Sequence, residues 1–305
     1  MIFFSVIIPT FNQAEYLKKA IESVLNQNFF NFEIIVIDNF SSDETSEVVR
    51  NFNSKKIRYK RFKNLGVIGS SRNEGIKMAK GNWIAFLDSD DTWYKNKLQK
   101  ISESITRNCD VGVFCSSELI LNEKKKLKKI WQYGPFKKSF YRQLLFKGNC
   151  ISTSASVVKK SVIIDKKIFF NENKYYVTAE DYDFFLRIAF QKIKFKFIKE
   201  VLGEHLFHEK SMSSNYEVHK NSLSRVIKDH VNNFSNNSLM KNFFLFRCNF
   251  SIHVGDLKFF MYNKMYFKFV SKTLFLILVY PDRMIELITK KIHIIMITKK
   301  YFKNG

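Results

Sequence analysis

Over its first 115 residues the chain alternates short apolar runs with amphipathic stretches. Phe3–Ile8 is a compact apolar run closed by Pro9, Phe32–Ile37 and Trp83–Leu87 repeat the pattern, and Ile57–Phe62 reads as a strand between them. Val111–Cys115 is strand-like as well. Runs of this length predict buried strands. Between them, Leu17, Ile21, Val24 and Leu25 recur at helical spacing within residues 14–27. Ser42–Asn53 opens on capping residues, Ser70–Ala79 predicts a helix ended by Gly81, and residues 95–107 are helical. Strands alternating with helices of this size predict parallel βαβ units, hence an α/β fold. Residues 118–160 are less regular, a helix resumes at 181–190, and from about 216 only helical signals remain. There is no internal repeat.

In open parallel sheets, ligands bind beyond the carboxyl ends of the strands. The polar clusters fall at those ends: Thr10-Phe-Asn12, Asp38-Asn39 and Asp88-Ser-Asp-Asp91. In an extended strand end, Asp88 and Asp90 point the same way. Paired carboxylates make a hard-oxygen site for Mg²⁺ or Mn²⁺ shared with substrate phosphates, although Ser89, Asp90 or Asp91 could instead cap the following helix. Asp38 can accept a hydrogen bond from a base or a ribose hydroxyl, or serve the turn it sits in. Arg72, near a predicted helix N-terminus, suits a phosphate or a base carbonyl, or a surface pair with Glu74 or Glu103. Glu180-Asp181 opens a helix, where an acid can act as a general base or simply complement the helix dipole. His208 can ligate a metal or bond to a phosphate, while His205 reads as structural.

Charge adds a second feature. Lys plus Arg is 51 against 28 Asp plus Glu, a net charge of +23. Residues 1–110 carry only +3 of it, while 111–210 and 211–305 carry +10 each. A basic field attracts nucleic acid, anionic lipid or phosphorylated substrates. No nucleic-acid-binding motif is visible, so nucleic acid is not expected as a partner. The four cysteines form no C-x-x-C pair and read as reduced, mostly buried thiols. The N-terminus lacks a basic n-region and a cleavage site, and no apolar run of about 18 residues occurs. The expectation is a cytoplasmic protein, or one peripheral to the inner face of the cytoplasmic membrane. In residues 243–302, aromatic and aliphatic residues mixed with Lys fit an amphipathic membrane-surface region, a packed helical subdomain or a homodimer interface.

Taken in order, Ser5-Val-Ile-Ile-Pro-Thr-Phe-Asn12, Val36-Ile-Asp-Asn39 with Ser41-Ser-Asp43, Ser71-Arg-Asn-Glu-Gly-Ile76, Phe86-Leu-Asp-Ser-Asp-Asp91 and Glu180-Asp181 resemble the inverting family 2 glycosyltransferases. The resemblance covers residues 3 to about 213. It implies a GT-A fold, a nucleotide-binding αβα sandwich with a largely parallel sheet, followed by a helical C-terminal region. It divides the chain into a catalytic domain at 1–213, with a donor half at 1–116 and an acceptor half at 117–213, and a basic helical region at 214–305. It implies that Pro9, Thr10, Phe11, Asp38, Arg72 and Asp88 contact the nucleotide. Asp90 is implied as the metal ligand with His208 beside it, Asp181 as the catalytic base, and Asp91 and Glu180 as support. Phe40 departs from the small residue common at its position and puts the local turn in question.

The implied reaction is metal-dependent, inverting transfer from a nucleoside-diphosphate sugar, UDP-linked, to a hydroxyl of a saccharide or lipid-linked acceptor in bacterial surface polysaccharide or glycolipid assembly. The competing readings are a non-catalytic nucleotide-sugar-binding relative and a basic nucleic-acid- or membrane-binding protein. A dinucleotide-dependent enzyme is disfavoured because G-x-G-x-x-G is absent.

Overall fold

The computed structural model describes residues 3–122, 128–136, 139–208, 215–234 and 237–303. Its strands are β1 (Phe4–Thr10), β2 (Phe32–Asp38), β3 (Ile57–Arg61), β4 (Trp83–Phe86), β5 (Thr92–Trp93), β6 (Val111–Asn122), β7 (Lys128–Trp131), β8 (Ser156–Lys159) and β9 (Lys194–Phe207). The helices are α1 (Ala14–Leu25), α2 (Thr45–Asn51), α3 (Ile68–Met78), α4 (Lys97–Arg107), α5 (Phe140–Lys147), α6 (Lys160–Asp165), α7 (Glu180–Phe190), α8 (Tyr216–Phe234), α9 (Ser238–Tyr262), α10 (Tyr266–Val279) and α11 (Pro281–Lys303).

One sheet runs in the order β3-β2-β1-β4-β8-β6-β9-β5, with β7 paired to β6. β3, β2, β1 and β4 are parallel, as their alternation with helices predicts. β8 then inserts antiparallel between β4 and β6, while β9 runs parallel to β6. Two segments differ from the sequence expectation. β6 continues to Asn122 and pairs with β7 where irregular chain was expected. β9 lies in a segment assigned no strand, although Lys194-Phe-Lys-Phe197 alternates as a half-buried strand should. Of the basic stretch 124–129, residues 124–127 lie outside the described residues, as does the expected boundary at 213–214.

β1, β2 and β4 are buried on both faces, which is why they read as continuous apolar runs, whereas β3 at the sheet edge is only partly buried. Val6, Ile8, Ile34, Val36, Ala85 and Leu87 pack on one face against Leu17, Ile21, Leu98 and Ile101 of α1 and α4. Ile7, Ile35, Ile37, Ile84 and Phe86 pack on the other with Ile76 of α3 and Phe184 of α7. Each such side chain contributes about 1.5–3 kcal/mol by burial. Gly75 lets α3 lie close on the sheet, because a Cβ there would sit 2.4 Å from Ile7 Cγ2. This close approach carries Arg72 under the carboxyl ends of the strands. α8 and α9 join the same core through Val226, Ile227, Val231, Phe244 and Cys248. A smaller core around Phe250, Leu276, Tyr280 and Met284 ties α9, α10 and α11 together. Among the described residues no helix is long and apolar enough to cross a membrane. Cys115, Cys150 and Cys248 are buried free thiols, and Cys109 is exposed.

Candidate active site

The register sets the site. Thr10 pairs with Asp38 at the ends of β1 and β2, and β4 lies beside β1, so the loops that follow these strands open along one edge. The first two loops are laced together. Asn12 N–H donates to Ser41 Oγ at 2.9 Å, Ser42 N–H donates to Asn12 Oδ1 at 2.8 Å, and Ala14 N–H donates to Asp43 Oδ2 at 2.9 Å. Asp43 also accepts from the Thr45 N–H and hydroxyl, so α2 starts at Thr45 and not at Ser42.

On the rim, Pro9 and Thr10 are buried and Phe11 is exposed. The Thr10 hydroxyl is buried with no hydrogen-bond partner among the described residues. Asp38 is fully buried and already well supplied. Oδ1 accepts from the Ser41 N–H and hydroxyl at 2.9 and 2.5 Å, and Oδ2 accepts from the Tyr59 hydroxyl at 2.5 Å. Three bonds leave about one acceptor position of a carboxylate for a ligand. Burial and the Asp38 charge keep the Tyr59 hydroxyl protonated. Phe40 adopts a left-handed φ of 57°, which explains why a small residue suits this position. Its ring lies 4.6 Å from the Arg61 guanidinium.

The loop after β4 is held from three sides. Asp88 N–H donates to Ser154 Oγ at 3.0 Å, and the Ser89 hydroxyl donates to Gln13 Oε1 at 2.5 Å. Asp91 is buried and binds His205 Nδ1 at 3.0 Å and the Leu206 N–H at 3.0 Å, fastening the loop to β9. Asp91 raises the His205 imidazole to about 10 against the opposing effect of burial, so the pair is ionic. α4 is flanked by Asn96, and neither Asp90 nor Asp91 caps it. Asp90 is partly buried with Oδ2 2.8 Å from His208 Nε2, and Tyr16 stacks on that imidazole at 5.0 Å. Desolvation, with Asp91 and Asp88 nearby, pushes the Asp90 carboxyl upward, as expected for a charge that needs a counter-cation.

Arg72 is buried and joins two distant segments. Nη2 donates to Asp88 Oδ1 and Nη1 donates to Glu180 Oε1, both at 2.7 Å. The anticipated pairs with Glu74 and Glu103 do not form: these acids bind Lys60 and Arg107. Glu180 is buried beneath the N-terminus of α7, while Asp181 is half-buried. Asp181 Oδ1 accepts from the Tyr182 N–H at 2.7 Å and Oδ2 from Asn149 Nδ2 at 3.1 Å. Desolvation and Glu180 push its carboxyl up to about 7 against the pull of Arg72.

The structure thus places Asp88, Asp90 and Asp91 on one loop, from which Asp88 reaches Arg72 and Glu180, Asp90 reaches His208 and Asp91 reaches His205, with Asp181 adjoining Glu180. Sequence reasoning did not find Gln13, Tyr16, Asn149 and Ser154, which hold Ser89, His208, Asp181 and Asp88 respectively. It also missed buried Lys97, whose Nζ donates to the Ser154 carbonyl at 2.9 Å, as does Trp93 Nε1. A lysine among the apolar positions of α4, four residues before buried Ile101, was the available signal.

The architecture is that of GT-A glycosyltransferases. Staphylococcus aureus TarS 1–349 in complex with UDP-GlcNAc superposes with a TM-score of 0.63 at 23% identity, over 82% of this chain and 73% of that one. A mannosyltransferase of Pyrobaculum calidifontis, solved with GDP-Man and Mn²⁺, gives a TM-score of 0.60 at 13% identity over 94% and 79%. Residues 5–165 match the model of glycosyl transferase family 2, and the chain belongs to that family. Among its relatives, an uncharacterized glycosyltransferase of Methanocaldococcus jannaschii is 31% identical over 203 residues, covering 65% of this chain and 68% of that protein. Escherichia coli WfgD, a UDP-Glc:alpha-D-GlcNAc-diphosphoundecaprenol beta-1,3-glucosyltransferase, is 30% identical over 184 residues, covering 60% and 68%. An uncharacterized glycosyltransferase of Rickettsia prowazekii is 41% identical over 118 residues, which span 36% of its length.

Proposed function

We propose that the chain is a metal-dependent, inverting glycosyltransferase that moves a sugar from a UDP-linked donor to a hydroxyl of a saccharide or lipid-linked acceptor. The observation that carries this reading is the ion-paired chain Asp88–Arg72–Glu180, with Arg72 and Glu180 buried, which fixes the carboxylates after β4 relative to Asp181. A diphosphate-binding edge and a general base are thereby held as one rigid unit. The uridine nucleotide is suggested by the donor named for WfgD and the ligand of TarS. In this reading Pro9, Thr10, Phe11 and Asp38 receive the nucleoside, and the unpartnered Thr10 hydroxyl is available to it.

A divalent Mn²⁺ or Mg²⁺ ion fits Asp90 and His208. Among the described residues no three acidic, His or Cys side chains converge on one point. That suits an ion taking its other ligands from substrate phosphate and water, as Mg²⁺ commonly does. When bound, the ion supplies charge neutralisation for the departing diphosphate. The protein performs the remainder. Asp181 removes the acceptor proton as the acceptor oxygen bonds to the anomeric carbon, and the bond to the diphosphate oxygen breaks with its electron pair leaving on the nucleotide. Asn149 and the Tyr182 N–H hold the carboxylate for that transfer, while Arg72 and Glu180 position its helix. Displacement from the opposite face inverts the anomeric centre. NMR of the product tests this directly: inverted configuration is expected, and retention would exclude the single-displacement mechanism.

Because Asp181 acts as a base, its deprotonated form is the active one. A carboxyl raised to about 7 predicts that kcat at saturating donor falls as pH drops through about 7, by about tenfold per unit below it. A rate that is flat to pH 5 would remove Asp181 from this role.

We assign residues 1–116 to the donor half, 117–213 to the acceptor half and 214–305 to a basic helical region. α9 and α10 leave Leu239, Phe267 and Leu278 more than four-fifths exposed. Such a surface suits peripheral attachment to an anionic membrane and a role in surface polysaccharide or glycolipid assembly. Vesicle co-sedimentation independent of anionic lipid would contradict the attachment.

A further inference from the structure

We propose that the cleft between the acceptor half and the last helices is a second anion site, which takes a phosphate or diphosphate group carried by the acceptor. The proposal rests on the glycosyltransferase reading and names the acceptor's chemical class. Lys290 of α11 lines this cleft, Lys129 of β7 shares the Trp131 ring with it, and Lys258 of α9 and Lys291 of α11 lie close enough to act on Lys129. Desolvation depresses both the Lys129 and the Lys258 ammonium, with Lys258, Lys291 and Lys290 adding to it at Lys129 and Lys291 and Lys290 adding to it at Lys258. Among the described residues none of the four makes an ion pair with a carboxylate. Elsewhere the fold does compensate its lysines, as in Lys60–Glu74 and Lys220–Asp256. Lys129 and Lys290 also flank one aromatic ring, with Nζ 4.5 and 5.4 Å from the Trp131 centroid. Uncompensated cations converging from separate elements raise the local potential for an anion.

The adjoining cleft has a volume of about 750 Å³ and is lined by Tyr133, Gly148, Cys150, Arg283, Lys290 and His293 among others. That exceeds what a diphosphate needs and leaves room for what it carries. Arg283 is buried in its wall, with Nη2 donating to the Phe146 carbonyl at 2.7 Å, Nη1 paired with Glu286 Oε2 of the same wall at 3.4 Å, and Nε without a partner among the described residues. The cleft also abuts the reaction centre. Gly148 and Cys150 flank Asn149, the residue that donates to Asp181. Burial pushes the Cys150 thiol up to about 11, and the Lys290 charge draws it back down, which places Lys290 near this wall. An acceptor anchored by phosphate in the cleft would reach Asp181 past Asn149. Donor nucleotide is assigned to a different edge, the ends of β1, β2 and β4.

The test is calorimetric binding of inorganic pyrophosphate to the full chain in chelator, which suppresses cation-dependent binding at Asp90. The Lys129→Ala/Lys290→Ala variant should bind pyrophosphate at least about tenfold more weakly. Asp90→Asn and the exposed control Lys18→Ala/Lys19→Ala should bind it as the wild type does. Binding to phosphatidylglycerol vesicles and to phosphatidylcholine vesicles forms the second arm and separates acceptor phosphate from lipid headgroup. Four results overturn the proposal: no pyrophosphate binding by the wild type, unchanged binding in the Lys129/Lys290 variant, an equal loss in the control, or a variant defect confined to phosphatidylglycerol vesicles. UDP-sugar binding with Mn²⁺ by the Lys129/Lys290 variant reads the donor site separately, so failure of this proposal is distinguishable from failure of the glycosyltransferase reading.

Discussion

Asp181→Asn is expected to lower kcat by about 10³-fold while leaving donor affinity within about threefold. The substitution keeps shape and size and removes only the ability to take a proton. The amide can still accept from the Tyr182 N–H through its oxygen, so the start of α7 is retained. Burial and Glu180 already bring the Asp181 carboxyl toward neutral pH, where a base is most effective. Donor contacts assigned to the ends of β1, β2 and β4 do not involve this residue. Single-turnover rates together with donor titration check the split. A variant that loses donor binding with its fold intact contradicts the assignment of Asp181 as base.

Arg72→Met is expected to destabilise the protein by about 3–5 kcal/mol and to abolish transfer. Its guanidinium is held by Asp88 and Glu180, which with desolvation opposing keep it charged. Removing the cation leaves the Glu180 carboxylate buried without its partner and places it near Asp88 and Asp181, all of like charge. Lys at this position restores charge but not the fork that spans both carboxylates, so Arg72→Lys should recover part of the stability and little of the activity. Urea denaturation alongside turnover reads both effects. Wild-type stability in Arg72→Met would show that the Asp88–Arg72–Glu180 bridge does not organise the site.

Much of the donor half was legible because its signals are local. A parallel strand buried on both faces must be an apolar run, and Asp38 and Asp88 follow such runs directly. The partners that orient those acids were not legible. Arg72 lies 108 residues from Glu180 and Asp91 lies 114 from His205, and no local pattern encodes such pairings. Asn149 and Ser154 come from a segment whose shape is dictated by β8 inserting antiparallel between β4 and β6. β9 escaped notice because its first residues alternate exposed Lys194 and Lys196 with buried Phe195, a half-buried pattern unlike the earlier strands. The last helices carry weak amphipathic patterns because the small core around Tyr280 takes only part of their apolar surface.

The central claim is cation-dependent use of a nucleoside-diphosphate sugar at the edge formed by β1, β2 and β4. The most direct test follows donor binding and hydrolysis across a panel of nucleotide sugars, with Mn²⁺ or Mg²⁺ and with chelator, in the wild type and in Asp90→Asn. The account predicts that one UDP-sugar binds and is turned over, and that both responses disappear with chelator and in Asp90→Asn. A folded wild-type protein that neither binds nor turns over any donor, or that does so equally well in chelator, would contradict it.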